Sequence, residues 1–392
     1  MQNSTPSFLI ILILSFFGCQ SPEEGSGVPT FEISEGSISD FDEVISSIEF
    51  IPLKNNAESP VNLNCSVWKL EVTADYLVYS TICNPEAKIH LFDLSGNYIK
   101  SLAKNGNGPE EYQTIQGTYL QLDTLSIAVG AGQIKQYSFP DFNYLQNISL
   151  NEAVMFLPNF TEISKNKWLT SPMFNGEVDE NGEFNIFKIM DSSTGEISDL
   201  PIKATPLAAE IGEGEFEKLD KSLLLNFPFS DTIYQYKNEQ VTPYAFLNFG
   251  DRKPTQEDMK MDGAQLEATV TKQPFVINMG KIWHTDDVSR LKTFALAKNP
   301  EMDITNMRTF PVHEVFLNHK TNQVTAFKSL AGWSNGKGDA QDGYFYDVLR
   351  TDDWILALEN GALGKYGEQL EKMIDELGDF EDSILIKYQV KQ

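Results

Sequence analysis

The chain has 392 residues, 30 basic against 56 acidic for a formal net charge of −26, with 41% apolar and 22% charged residues. Those fractions are globular values and exclude wholesale disorder. The acidic field repels phosphate backbones and anionic head groups, so nucleic acid is not an expected partner, whereas cations, cationic peptides and neutral sugars are compatible with it.

No Lys, Arg, Asp or Glu occurs before Glu23, and residues 8–17 (FLIILILSFF) form a ten-residue apolar run. That is about half of what a bilayer-spanning helix needs, so it reads as a secretory h-region. Gly18 directly before Cys19 resembles the lipobox of bacterial lipoproteins, in which the cysteine is acylated and becomes the first residue of the mature chain. Plain secretion and an uncleaved anchor are the alternatives. The expected organisation is a signal peptide over 1–18, a flexible tether over 19–40 and a single body over 41–392. Acidic residues just after Cys19 resemble the signal that sends some Gram-negative lipoproteins to the outer face. Roughly 370 residues remain after the leader, more than one ordinary core supports.

Residues 48–54 (IEFIPLK) read as a lone strand. VWKLEV and LVYSTI, separated by TADY, read as a hairpin by period-two alternation. Pairing Val72 with Leu77 brings Cys65 and Cys83 within one residue of facing each other. An oxidising envelope favours a disulfide between them, with two small buried hydrophobes as the alternative.

A hairpin signature then recurs at Ile89, Ile134, Phe184, Thr232, His313 and Ile384, and the sixth copy lacks its return strand. Inner strand pairs are expected upstream of the signatures at 119–129, 160–173, 216–229 and 344–358. The steps are 45, 50, 48, 81 and 71 residues, and a four-stranded propeller blade takes about 40 to 50. The two long steps require insertions. One falls in 250–307, where PTQEDMKMDGAQLEATV suggests a short helix, and Trp283 and His284 within this excursion are a candidate partner surface. The other is GKYGEQLEKMIDEL, whose Leu370, Met373, Ile374 and Leu377 share one helical face. The pattern specifies an all-β six-bladed propeller, closed by pairing 48–53 with 384–390, which hides the edge of the last blade.

Residues 92–99 (FDLSGNYI) followed by 105–112 (NGNGPEEY), residues 229–234 (FSDTIY) and the closing strand resemble the six-bladed β-propeller lipoproteins of Gram-negative envelopes, which are relatives of NHL-repeat propellers. The resemblance spans nearly the whole mature chain and implies a propeller on a lipid anchor. Members of that group mostly lack an assigned activity. Glu110 replaces the usual second glycine of the motif, so a different local turn is expected.

Chemical motifs are sparse. Gly106-Asn107-Gly108-Pro109 lacks the helix start and Lys-Ser/Thr of a phosphate loop and reads as a blade-linking turn, with Tyr112 packing between blades. Glu177, Asp179, Asn181 and Gly182 mimic a calcium loop, but its twelfth position is Lys188. Asp339, Asp342 and Asp347 form another acidic set near Gly336 and Gly338. His90, His284, His313 and His319 fit no zinc spacing, and no GxSxG elbow occurs. Asp123-Thr124-Leu125, Asp231-Thr232-Ile233 and Asp382-Ser383-Ile384 resemble an envelope O-glycosylation acceptor, although ordinary turn-to-strand starts explain them as well. No metal and no cofactor is expected. The functional expectation is a non-catalytic binding or assembly module at the outer membrane, contacting a glycan, a small molecule or an outer-membrane protein complex. The alternatives are a glycan-active enzyme with its site at the channel and a purely structural subunit.

Overall fold

Apolar residues on both faces of successive strands require each sheet to be covered on two sides, and a ring of sheets packed face to face satisfies this without added layers. The computed structural model describes residues 27–54, 65–83, 86–130, 132–150, 156–172, 175–212, 214–262, 275–297, 311–330, 338–378 and 383–391, with 265 and 269. The leader, Cys19 and Gly336 lie outside the described residues.

Six sheets follow one another around the ring, each built on four antiparallel strands, one of them with a fifth, parallel strand added. Blade 1 is Ser66–Val72, Tyr76–Cys83, Glu86–Asp93 and Tyr98–Leu102. Blade 2 is Gly117–Gln121, Thr124–Gly130, Gln133–Ser138 and Tyr144–Ser149. Blade 3 is Asn159–Ser164, Lys167–Ser171, Lys188–Asp191 and Ile197–Asp199, with a side hairpin of Phe184–Asn185 and Lys203–Ala204. Blade 4 is Glu215–Leu219, Ser222–Asn226, Thr232–Lys237 and Gln240–Asn248. Blade 5 is Ile277–Thr285, Val288–Phe294, Val312–Asn318 and Gln323–Lys328. Blade 6 combines Gly338–Gln341, Tyr344–Leu349 and Ile384–Val390 with Ile45–Pro52. The recurring signature is thus the outer half of each blade. The missing sixth return strand is the N-terminal one, with Phe50 opposite Ile386.

The core is divided into wedges between adjacent blades. Leu91 of blade 1 packs with Ile127 and Tyr137 of blade 2, for example, and Tyr119 of blade 2 with Phe160 and Trp168 of blade 3. Tyr112 is buried in the first of these wedges, its hydroxyl donating to the Ala87 and Leu102 carbonyls at 3.2 and 3.0 Å. Gly96 (φ +78°) allows the blade 1 outer turn to meet the closing strand, because a Cβ there would stand 2.2 Å from the Pro52 carbonyl oxygen.

Three sequence expectations need correction. The tether does not extend to residue 40, because Thr30–Glu32 adds a parallel fifth strand to blade 4 and buries Phe31 and Ile33. Ile38 then bridges to Ala326, so this strap covers the outer edges of blades 4 and 5. Residues 344–358 are not a strand pair. After Tyr344–Leu349 the chain forms the helix Thr351–Glu359, started by the acidic turn Asp352-Asp353 and burying Trp354 and Ala357. Trp283 and His284 belong to the first strand of blade 5, not to an excursion. The helix expected after Pro254 falls largely outside the described residues, which place short 3-10 turns at Gly250–Arg252 and Asp258–Lys260. The helix Gly367–Leu377 packs Leu370, Met373 and Ile374 against blades 5 and 6, while Leu377 is 37% exposed.

Candidate functional site

The first strand of every blade lies at the hub, and polar side chains stitch each junction there. Between blades 1 and 2, Thr118 Oγ1 and the Leu120 amide donate to Glu71 at 3.1 and 3.0 Å. Between blades 2 and 3, the Leu157 amide donates to Gln116 at 3.1 Å. Asn159 reaches the Gly214 carbonyl at 3.0 Å, and Asn226 and Asn278 exchange bonds at 3.2 and 2.8 Å. Trp283 Nε1 donates to the Gly338 carbonyl at 2.7 Å, and the Val72 amide donates to Asp339 at 2.5 Å. Each such bond contributes about 0.5–1.5 kcal/mol, but together they fix the spacing of six blades around an axis.

Along that axis runs a cavity of about 940 Å³ to which all six blades contribute. The turns after the first strands of blades 2, 4, 5 and 6 reach its wall through Leu122, Asp220, Asp286 and Asp342, all at φ near +50°. Asp tolerates this left-handed conformation, whereas Leu122 adopts it while 89% exposed.

Lys69 stands 3.3 Å from Glu71 and donates to the Thr118 carbonyl at 2.7 Å. Burial opposes its charge, but the charge and hydrogen bond of Glu71 together with the charges of Asp339 and Glu215 outweigh it and raise its pKa. Lys281 is paired with Glu215, and Lys218 Nζ lies 5.0 Å from the Tyr119 ring centroid. The carboxyls of Glu217 and Asp339 form no ion pair among the described residues, although the charge of Lys69 acts on both and that of Lys218 on Glu217. Burial and then the charge of Asp339 push Glu217 up to about 8, and burial pushes Asp339 up to about 7.

Trp283 and His284 are 7% and 8% exposed and line this cavity. The Trp283 ring packs on the Arg290 guanidinium at 4.1 Å. His284 Nδ1 is 2.9 Å from Ser289 Oγ, which is 2.8 Å from His319 Nε2. Strand pairing joins these two histidines, which sequence spacing left unconnected. Burial lowers the pKa of His284, opposed by the Asp286 backbone and the charges of Asp287 and Asp286.

The other candidates separate. Asp339 faces the channel, Asp347 binds Arg290 through both carboxylate oxygens at 2.8 and 2.7 Å, and Asp342 sits in its turn. Asp179 accepts the Asn181 and Glu183 amides and Lys203 Nζ, at 2.9, 3.1 and 3.0 Å, which occupies the calcium-like tip. In the Gly-rich loop the Gly108 amide is taken by Glu111 at 2.8 Å. Cys65 is disulfide-bonded, and Ser66 faces Ile82, so the ladder continued by one step leads to Cys83, whose side chain lies outside the described residues. Among the described residues no group of three or more ligating side chains could hold a metal, and no helix is long and apolar enough to cross a membrane.

Sequence reasoning missed Lys69, Glu71, Glu215, Glu217 and Lys281. The available signal was charge inside strand patterns, Lys69-x-Glu71 and Glu215-x-Glu217, where a solvated edge would not otherwise be expected.

Among solved structures, a Bacteroides fragilis protein described as exported superposes with a TM-score of 0.66 at 12% identity, over 93% of this chain and 100% of that one. The WD40 repeats of RRP9 align at 0.42 and 8%, over 86% and 83%, and the WD40 domain of Toxoplasma gondii coronin at 0.38 and 7%, over 79% and 72%. At these identities the likeness concerns the fold alone. No curated protein matches the chain in sequence. The model of one family, described as a domain of unknown function (DUF4934), matches residues 29–384. With nearly the whole six-bladed body inside that match, the chain belongs to the DUF4934 family.

Proposed function

We propose that the protein is a binding module of the bacterial cell envelope, attached through a lipid on Cys19, whose axial channel holds a small hydrophilic ligand. The observation carrying this reading is a cavity of about 940 Å³ walled by all six blades. Its size falls in the roughly 300–1,000 Å³ range of ligand sites, and its rigid polar lining orients a guest without moving parts. The address rests on the apolar run before Gly18-Cys19. Calorimetric titration of the mature protein against mono- and oligosaccharides should show saturable binding that Gln341→Trp, which fills the channel wall, removes. Binding untouched by that substitution would move the site elsewhere. Incorporation of a labelled fatty acid by the wild type but not by Cys19→Ser tests the anchor.

A second reading, a glycan-active enzyme, has one observation in its favour. Glu217 and Asp339 are carboxyls in one cavity with pKa values raised from the ordinary range, and glycoside hydrolysis uses a carboxyl kept protonated beside another carboxylate. Release of labelled oligosaccharide from a polysaccharide, lost in Glu217→Gln, would replace the receptor reading with this one. Cross-linking in native membranes tests for an outer-membrane protein partner.

A further inference from the structure

Seven carboxyl groups and three lysines line the axial cavity. All three cations are already engaged: Lys69 with Glu71, Lys281 with Glu215, and Lys218 over the Tyr119 ring. Glu217 and Asp339 receive backbone amides alone, Glu217 from Lys218 at 2.9 Å and Asp339 from Val72 and Ala340 at 2.5 and 2.8 Å. Low-dielectric walls concentrate along the axis the field of a lining in which carboxyls outnumber lysines by seven to three. A neutral guest would offset the desolvation of Glu217 and Asp339 only through ordinary hydroxyl hydrogen bonds, and an anionic one would be repelled, whereas an ammonium forms stronger, charge-assisted hydrogen bonds with both.

An independent feature lies in the same wall. His284 is more than nine-tenths buried, and its Nε2 has no hydrogen-bond partner among the described residues. Its Nδ1 is held by Ser289, itself bonded to His319, and the Asp286 backbone also bears on the imidazole, so the ring is fixed in place while Nε2 makes no well-formed hydrogen bond of its own. A hydroxyl satisfies that atom in either tautomer.

We infer that the channel ligand is an amine-bearing polyhydroxylated molecule of the amino-sugar class, its ammonium held by Glu217 and Asp339 and a hydroxyl by His284. This rests on the channel reading above and narrows it to a ligand class. The β-1,4-linked glucosamine disaccharide and its N,N′-diacetyl form share a hydroxylated frame and differ in charge, so the pair isolates the ammonium. Calorimetry of the mature chain at pH 6.5 should give at least about tenfold tighter binding for the free-amine form. Glu217→Gln should bring the two affinities within about twofold. His284→Ala should weaken both forms alike. Equal or tighter binding of the diacetyl form by the wild type would overturn the amine assignment while the channel reading stands. Binding of neither sugar would overturn the amino-sugar class, and the channel reading falls as well if the wider saccharide panel also fails to bind. A preference for the amine that survives Glu217→Gln would overturn the assigned carboxyl.

Discussion

Arg290 is fully buried in blade 5 and bridges to blade 6. Its guanidinium makes a bidentate contact with Asp347 at 2.8 and 2.7 Å, donates to the Tyr388 hydroxyl at 2.6 Å and lies 3.2 Å from Glu314. Burial opposes its charge, but Asp347, Tyr388 and Glu314 together outweigh burial and raise its already high pKa, so it stays charged under all ordinary conditions. Gly338 makes room for it, since a Cβ there would stand 2.5 Å from Arg290 Nη2. Replacing one partner of such a cluster leaves the others buried without compensation, which costs more than the pair itself contributes. Arg290→Leu should therefore lower unfolding free energy by about 3–5 kcal/mol in urea, and Arg290→Leu with Asp347→Leu should cost less than the single change. A loss below about 1 kcal/mol would mean that the cluster is solvated. The sequence shows an arginine in an alternating strand but not its partner, because Asp347 is 57 residues away and becomes a neighbour only when two blades pack.

Elements differed in how much of them could be read from sequence. Outer blade hairpins alternate cleanly and end in turn residues, so five repeats and the half-copy were legible together with their closure. The first strand of blade 5 was not, since its INMGKIWHT is buried at nearly every position and a strand covered on both faces loses its alternation. Gly338–Gln341 has one apolar residue in four, and the Thr30–Glu32 strap is three residues long, too short to carry a pattern. The channel was illegible for a related reason: Val72 and Asp339, which close the ring at the hub, are 267 residues apart. The strap and the closing strand should also separate by truncation. A chain beginning at residue 40 loses the buried Phe31 and Ile33, which should cost on the order of 5 kcal/mol while leaving a cooperative transition. A chain beginning at residue 53 removes the outer strand of blade 6 and exposes the edge of Ile384–Val390, and it should not yield a folded monomer. Circular dichroism and size-exclusion chromatography of the two truncations check this ordering, and a folded monomer from the shorter chain would show that closure does not require this strand.

For the molecule as a whole, pH sets two opposing trends. His90, His313 and His319 are each lowered to about 4, chiefly by burial. The unfolded chain takes up their protons below about 6.5 when the fold does not, so their contribution is present above that pH and is lost as pH falls toward 4. Glu217 and Asp339 act in the opposite sense. Their folded pKa values are raised, so between the ordinary carboxylate range and about 8 the folded state holds more protons than the unfolded chain, and stability drains as pH rises through that window. Both groups are half-buried along an open channel, which moderates the amplitude. Glutamine has the shape of the protonated acid and does not titrate, so Glu217→Gln isolates one trend from the other. The variant should melt at the wild-type temperature at pH 4, exceed it increasingly up to about pH 8 and hold a constant margin above that. Thermal unfolding across this range reads the difference directly. A margin independent of pH would mean that Glu217 is ionised throughout, and the receptor would then hold its ammonium guest with a standing carboxylate and no linked release of a proton.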